Sequence, residues 1–287
     1  MGITRLDDDR LNSKILGFEN KSYESIIDNM IELEHSNEKI KLNRKENNYM
    51  DWQEIADYEF FVDFETYSKE NFKSPDEDII YMIGSYFKDE FRCFIIDKQY
   101  TVKQQIKIRN KLQRKNNLPE LSCNETNYVL CHDEHDLMIK FTDYIYSKNI
   151  TKLDKEVYKN EARLIHWSMF EKRVFESKIN KYYLNKKFKL NWYDLLEVFK
   201  FRDCPIIIKG CRSFKLKEVT NKLNEHNFIN IKWPDLEDGL LSSFMAKDIY
   251  EKNDNKNKNN LIVDITEYNF IDCKSVSCIL DFIRNHK

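Results

Sequence analysis

The chain has 287 residues, 41% of them hydrophobic and 14% aromatic, enough for one large or two small domains with a real core. Its formal net charge of -2 excludes a whole-molecule electrostatic pull on nucleic acid, so any such contact must use a local patch or a bound metal. Seven cysteines with no C-x-x-C pair argue for reduced thiols in an intracellular compartment, and no apolar run is long enough to span a membrane. Met1-Gly2 is not a myristoylation signal, because Leu6 stands where Ser or Thr is required.

Residues 1–57 read as a polar N-terminal extension with weak helical periodicity at Ile26, Ile27, Met30, Ile31 and Leu33. Asp7-Asp8-Asp9 and the stretch 43–48 look like solvated segments. From residue 58 the texture changes to three strand-like runs: Tyr58 to Phe64, Ile79 to Phe87 and Phe91 to Ile96, the last two joined by a hairpin connection at Lys88-Asp89-Glu90. Residues 98–131 form a polar insertion with a basic, helical stretch at Lys103, Lys107, Arg109, Lys111, Arg114 and Lys115. Asp133 is an N-cap candidate for a helix from Glu134 to about Tyr146. Ala162 to Trp167 reads as a short buried strand, with Ser168 capping a helix to about Tyr183. Further helices are expected at Tyr193 to Phe201, Lys215 to Leu223, Ser242 to Glu251 and Ile265 to Arg284, with a low-complexity loop over residues 253–260.

Within the first strand, Phe60-Phe61-Val62-Asp63-Phe64-Glu65-Thr66 carries two acids two residues apart. Strand side chains alternate, so Asp63 and Glu65 point the same way. Two like charges on one face of an apolar strand are unfavourable without a neutraliser, and hard carboxylate oxygens suit a divalent metal. Further acids are available in the first turn of a helix at Glu171 and on the last helix at Asp272. Tyr268 precedes Asp272 by four residues, which places both on one helical face. His132 and His135 lack a third metal ligand, so a solvated helix start is the better reading there. Trp167 and Trp192 can stack on bases but suit core packing better.

Asp63-x-Glu65 on the first strand, His166-Trp167-Ser168-Met169-Phe170-Glu171, and Tyr268-Asn269-Phe270-Ile271-Asp272 together resemble the DEDD exonuclease superfamily, in its tyrosine-bearing DEDDy branch. More narrowly, the chain resembles the RNase H-like domain of predicted RecB-like nucleases and giant-virus proteins. Tyr81-Met82-Ile83-Gly84, Tyr193-Asp194-Leu195-Leu196, Ser213 to Lys217 and Asp238-Gly239 add to that likeness. The resemblance implies an α/β, RNase H-like mixed sheet over residues 58–287, three antiparallel strands leading into α/β crossovers, with helices on both faces. It also implies a nuclease that trims nucleic acid from a 3′ end by two-metal catalysis. Asp63, Glu65, Glu171 and Asp272 would hold Mg²⁺ or Mn²⁺, and Tyr268 would position water or the scissile phosphate. Asp194 and His166 would be supporting residues, and Thr66, Arg212, Lys215 and Lys217 would contact substrate. The implied partners are DNA or RNA and a larger nuclease or a replication or repair assembly, with no membrane. The implied setting is intracellular, including that of a viral protein in its host cell. The chain departs from the superfamily in carrying Glu171 where Asp is usual, and in its basic insertion. Two alternatives stay open: a structure-selective endonuclease on the same fold, and a non-catalytic binding module of a larger nuclease.

Overall fold

In the computed structural model, residues 11–17, 23–42, 50–68, 78–97, 107, 110–111, 127–149, 162–182, 184, 190–201, 205–233, 239–251 and 261–286 are described. Most of the basic stretch within 98–131, the loop 253–260, and the solvated segments at 7–9 and 43–48 lie outside them. The chain divides into two compact units. One comprises residues 56–193 and 232–274; the other comprises residues 1–55, 194–231 and 275–287.

The larger unit is built on a mixed sheet. Strands β2 (Glu59–Tyr67), β3 (Ile79–Phe87) and β4 (Glu90–Ile96) form an antiparallel meander. The strand β5 (Tyr128–Cys131) joins β4 in parallel, and β6 (Arg163–His166) joins β2 in parallel. With β7 (Asn191–Asp194) the order is β5-β4-β3-β2-β6-β7. All nine residues of β3 are buried, as suits a central strand flanked on both edges and covered on both faces. The β3–β4 connection is only two residues long. Lys88 and Asp89 have φ values of 48° and 64°, the left-handed pair that lets a tight turn follow the strand twist. Glu90, expected in that turn, instead begins β4.

Alternation along β2 sends Phe60 and Phe64 to one face, Asp63 to the other. On the first face lie the helices α2 (Glu134–Asn149) and α3 (Phe170–Lys181). Phe64 meets Phe141 of α2 and Phe175 of α3 at ring separations of 6.0 and 6.1 Å, and Trp192 at 6.1 Å. Trp192, half-buried, thus packs against the core. The long helix α7 (Leu261–Asn285) covers the second face, where Phe270 meets Tyr86 and Phe91. Helices therefore occupy both faces of the sheet. Asp133 caps α2 as expected, its carboxylate accepting from the Asp136 amide at 2.8 Å. Arg163 and Glu59, opposed across β6 and β2, form an ion pair at 3.4 Å. Helix α6 (Gly239–Glu251) sends Tyr250 to stack on Tyr67 at 5.5 Å.

The other unit contains α1 (Glu24–His35), the two-residue ribbon of β1 (Ile40–Lys41) and β8 (Ile207–Ile208), α4 (Leu195–Lys200) and α5 (Leu216–Glu225). Ile26, Leu33 and Ile207 form a small core, with Met30 and Phe214 against it. The periodic positions of the polar N-terminal region are thus the apolar stripe of α1. Arg284 donates to the carbonyls of Trp52 at 2.6 Å and Glu54 at 2.8 Å, and Phe228 stacks on Phe282. Tyr193 and Asp194, expected in a helix, close β7, and the helix begins one residue later. Among the described residues no helix is long and apolar enough to cross a membrane.

Candidate functional site

The β2–β3 register pairs Asp63 with Gly84 and Glu65 with Met82, so the two acids share one face of the sheet. A register shift follows between Glu65 and Thr66, and Thr66 pairs with Ile80 beyond it. A bulge of this kind ends regular alternation just where the acid pair ends. Glu65 is buried, and Asp63 keeps a little surface.

Glu171 reaches the site region from the first turn of α3. The turn joining β6 to α3 holds Ser168 at φ 101°, a left-handed conformation unfavourable for a residue with a Cβ. Two contacts accompany that backbone: His166 Nδ1 meets the Ser168 carbonyl, and the Ser168 hydroxyl accepts from the Phe170 amide at 3.4 Å. His166 Nδ1 also lies 3.4 Å from Glu171 Oε2. Both side chains are buried, while the intervening Met169 is exposed.

Helix α7 supplies the rest. Tyr268 and Asp272 stand one turn apart, and both are half-buried. Trp233 Nε1 donates to Asp272 Oδ1 at 2.8 Å. Asn269, fully buried, donates through Nδ2 to Asp63 Oδ2 at 2.6 Å and to the Asp63 carbonyl at 3.2 Å.

Burial pushes the Asp63 carboxyl well above the usual carboxylate range. The charges of Asp272, Glu65 and Glu171 push it further the same way, and only the Asn269 hydrogen bond opposes them. Acids from β2, α3 and α7 therefore act on one another, although their sequence positions span more than two hundred residues. Their donor chemistry fits a hard divalent cation. Among the described residues no group of three or more histidine, cysteine or carboxylate side chains is already closed around a point that would hold a metal ion.

Other candidates have different settings. Asp194 belongs to the smaller unit and caps α4, accepting from the Leu196 amide at 3.0 Å. Arg212, Lys215 and Lys217 flank the start of α5 in that same unit. Glu218, in the first turn of α5, accepts from the amides of Arg212 and Ser213 at 2.6 and 3.2 Å and so ties the preceding turn to the helix. His132 and His135 are exposed.

Sequence reasoning missed Asn269 and Trp233, the donors on Asp63 and Asp272. Asn269 was visible only as the residue after Tyr268, and Trp233 lies outside every recognised stretch. No family model matches the chain, and no curated protein matches it in sequence.

Proposed function

We propose that the larger unit is an RNase H-like, DEDDy-type nuclease domain that hydrolyses phosphodiester bonds with Mg²⁺ or Mn²⁺, as a 3′–5′ exonuclease. The observation that carries the reading is that Asp63 and Glu65 share one covered face of the sheet, where burial and the charges of Asp272, Glu65 and Glu171 hold the Asp63 carboxyl above its ordinary range. A fold gains nothing from gathering four acids there, whereas a divalent cation turns the same cluster into a favourable ligand set. The strand order β4-β3-β2-β6-β7, antiparallel over β2–β3–β4 and parallel at β2–β6, supports the RNase H-like assignment, with β5 added outside β4.

Asp63 and Glu65 would hold the cation from the strand, and Glu171 and Asp272 from their helices. The chemistry a divalent cation supplies when bound is a lowered pKa for water and a counter-charge for the leaving oxygen. Tyr268, one helical turn from Asp272, would orient the scissile phosphate or the attacking water. His166 steadies the longer Glu171 arm through its 3.4 Å contact.

Incubation with end-labelled linear and closed circular DNA and RNA, with Mg²⁺ or Mn²⁺, tests the reading. Stepwise shortening of linear substrates from the 3′ end is the expected result. Cutting of circles would replace it with the endonuclease alternative. Absence of cleavage on every substrate, or cleavage unchanged in Asp63→Asn and Asp272→Asn, would overturn it.

A further inference from the structure

We propose that Asn269 is a positioning residue that sets the Asp63 carboxylate for cation binding, and that Gly84 exists to admit it; this rests on the metal-dependent reading above. Three observations converge on this contact.

First, Asn269 touches Asp63 twice. Its Nδ2 donates to Oδ2 at 2.6 Å and to the carbonyl of the same residue at 3.2 Å. A donor shared between a carboxylate and its own backbone fixes the side-chain torsions of that residue, because the two acceptors move together only in one rotamer. Oδ1 of Asp63 is left as the oxygen free of Asn269.

Second, Asn269 is fully buried, yet its Oδ1 has no hydrogen-bond partner among the described residues. A buried amide serving the core alone would use both ends or be replaced by an apolar residue, since an unpaired buried acceptor is unfavourable by about 1–3 kcal/mol in general. The retained polarity serves the Nδ2 end, which faces Asp63.

Third, β3 makes room for it. A Cβ on Gly84 would stand 1.8 Å from Asn269 Oδ1 and 2.9 Å from its Cγ. Gly84 is the cross-strand partner of Asp63, and its own φ is not left-handed. Close approach, not backbone conformation, accounts for glycine in this central strand. The side-chain-free notch lies directly beside the acid that Asn269 grips.

Outer partners of metal-binding carboxylates typically change metal affinity by about 10- to 100-fold when removed. Isothermal titration of the whole chain with Mn²⁺, without nucleic acid, reads this directly. Asn269→Leu keeps the branch at Cγ, is somewhat larger and removes the donor; we expect the Mn²⁺ affinity of the folded variant to fall by about tenfold or more. Gly84→Ala attacks the same contact from the opposite strand and is expected to give the same loss. Gly84→Ala also carries the test should Asn269→Leu not fold. Parental Mn²⁺ affinity in either folded variant overturns the positioning role. If the parent binds no Mn²⁺, or if Asp63→Asn binds it unchanged, the metal-dependent reading fails and takes this inference with it. Binding lost in Asp63→Asn but kept in Asn269→Leu sinks the positioning role alone.

Discussion

The two faces of β2 are made from neighbouring residues and obey opposite rules. On one, Phe60 and Phe64 sit among Phe87, Phe141, Tyr144, Phe175 and Trp192, with Phe60 and Phe87 stacked at 4.3 Å. These ring contacts are apolar, and burial there is favourable through the hydrophobic effect and ring packing. On the other, Asp63 bonds Asn269 of α7 and shares its face with Glu65, and burial works against the charge of Asp63. One strand thus anchors the fold with its even-numbered side chains and gathers the acids with its odd-numbered ones. Single substitutions one residue apart then address the apolar face and the acidic face separately.

The sharpest way to break this separation is to cross it. Asp63→Asn and Asp272→Asn are expected to reduce cleavage to the level of an enzyme-free control while leaving the fold intact by circular dichroism. Loss of fold would mean that the acidic face is structural after all. Phe64→Ala should do the converse. It is expected to destabilise the protein by about 3–5 kcal/mol in urea denaturation, with Mn²⁺ affinity of the remaining folded protein unchanged.

A pH series sharpens the same contrast at a smaller scale. The folded-state pKa of Asp63 is raised above its unfolded value near 4. Between the two values the folded state holds the extra proton, so this group's contribution to stability declines as pH rises through that window. Metal-free protein should therefore lose Tm as pH is raised from about 4. Asp63→Asn should flatten the decline, and Mn²⁺ should offset it. A Tm that climbs through this window in the parent, or declines identically in Asp63→Asn, would contradict the assignment. The smallest expected effect is that of Trp233→Phe, which removes one donor from Asp272. It should weaken Mn²⁺ binding by up to about tenfold, with little change in Tm.

What could be read in advance follows from how local each signal is. The β2–β3–β4 meander announced itself because its runs are long, apolar and separated by turn-sized gaps. Strand β5, by contrast, is four residues long and mostly half-buried, so in sequence it is indistinguishable from the end of the polar insertion before it. Strand β7 carries Tyr193-Asp194 before a helix, and four residues show no period with which to separate strand from first turn. The polar region before residue 57 hid its place in a compact unit because that unit draws on three separate chain segments. In the site, Asp63 and Glu65 were legible from a spacing of two, and Tyr268 and Asp272 from a spacing of four. Asn269 was not, because its meaning depends on a missing Cβ at Gly84 in another strand. Trp233 was not, because a tryptophan N–H reveals its acceptor only once the chain has folded.

The Asn269–Asp63 contact joins residues 206 positions apart. During synthesis at about 5–20 residues per second, β2 leaves the ribosome about 10–40 s before the helical residue that will cover its acids. For that interval its acid-bearing face lacks the α7 segment that will cover it, and the carboxylates of Asp272 and Glu65 cannot yet share one site. The acidic site would thus be completed late in translation, and a ribosome stalled before residue 269 would release a chain with the sheet's aromatic face encoded but the acidic face uncovered.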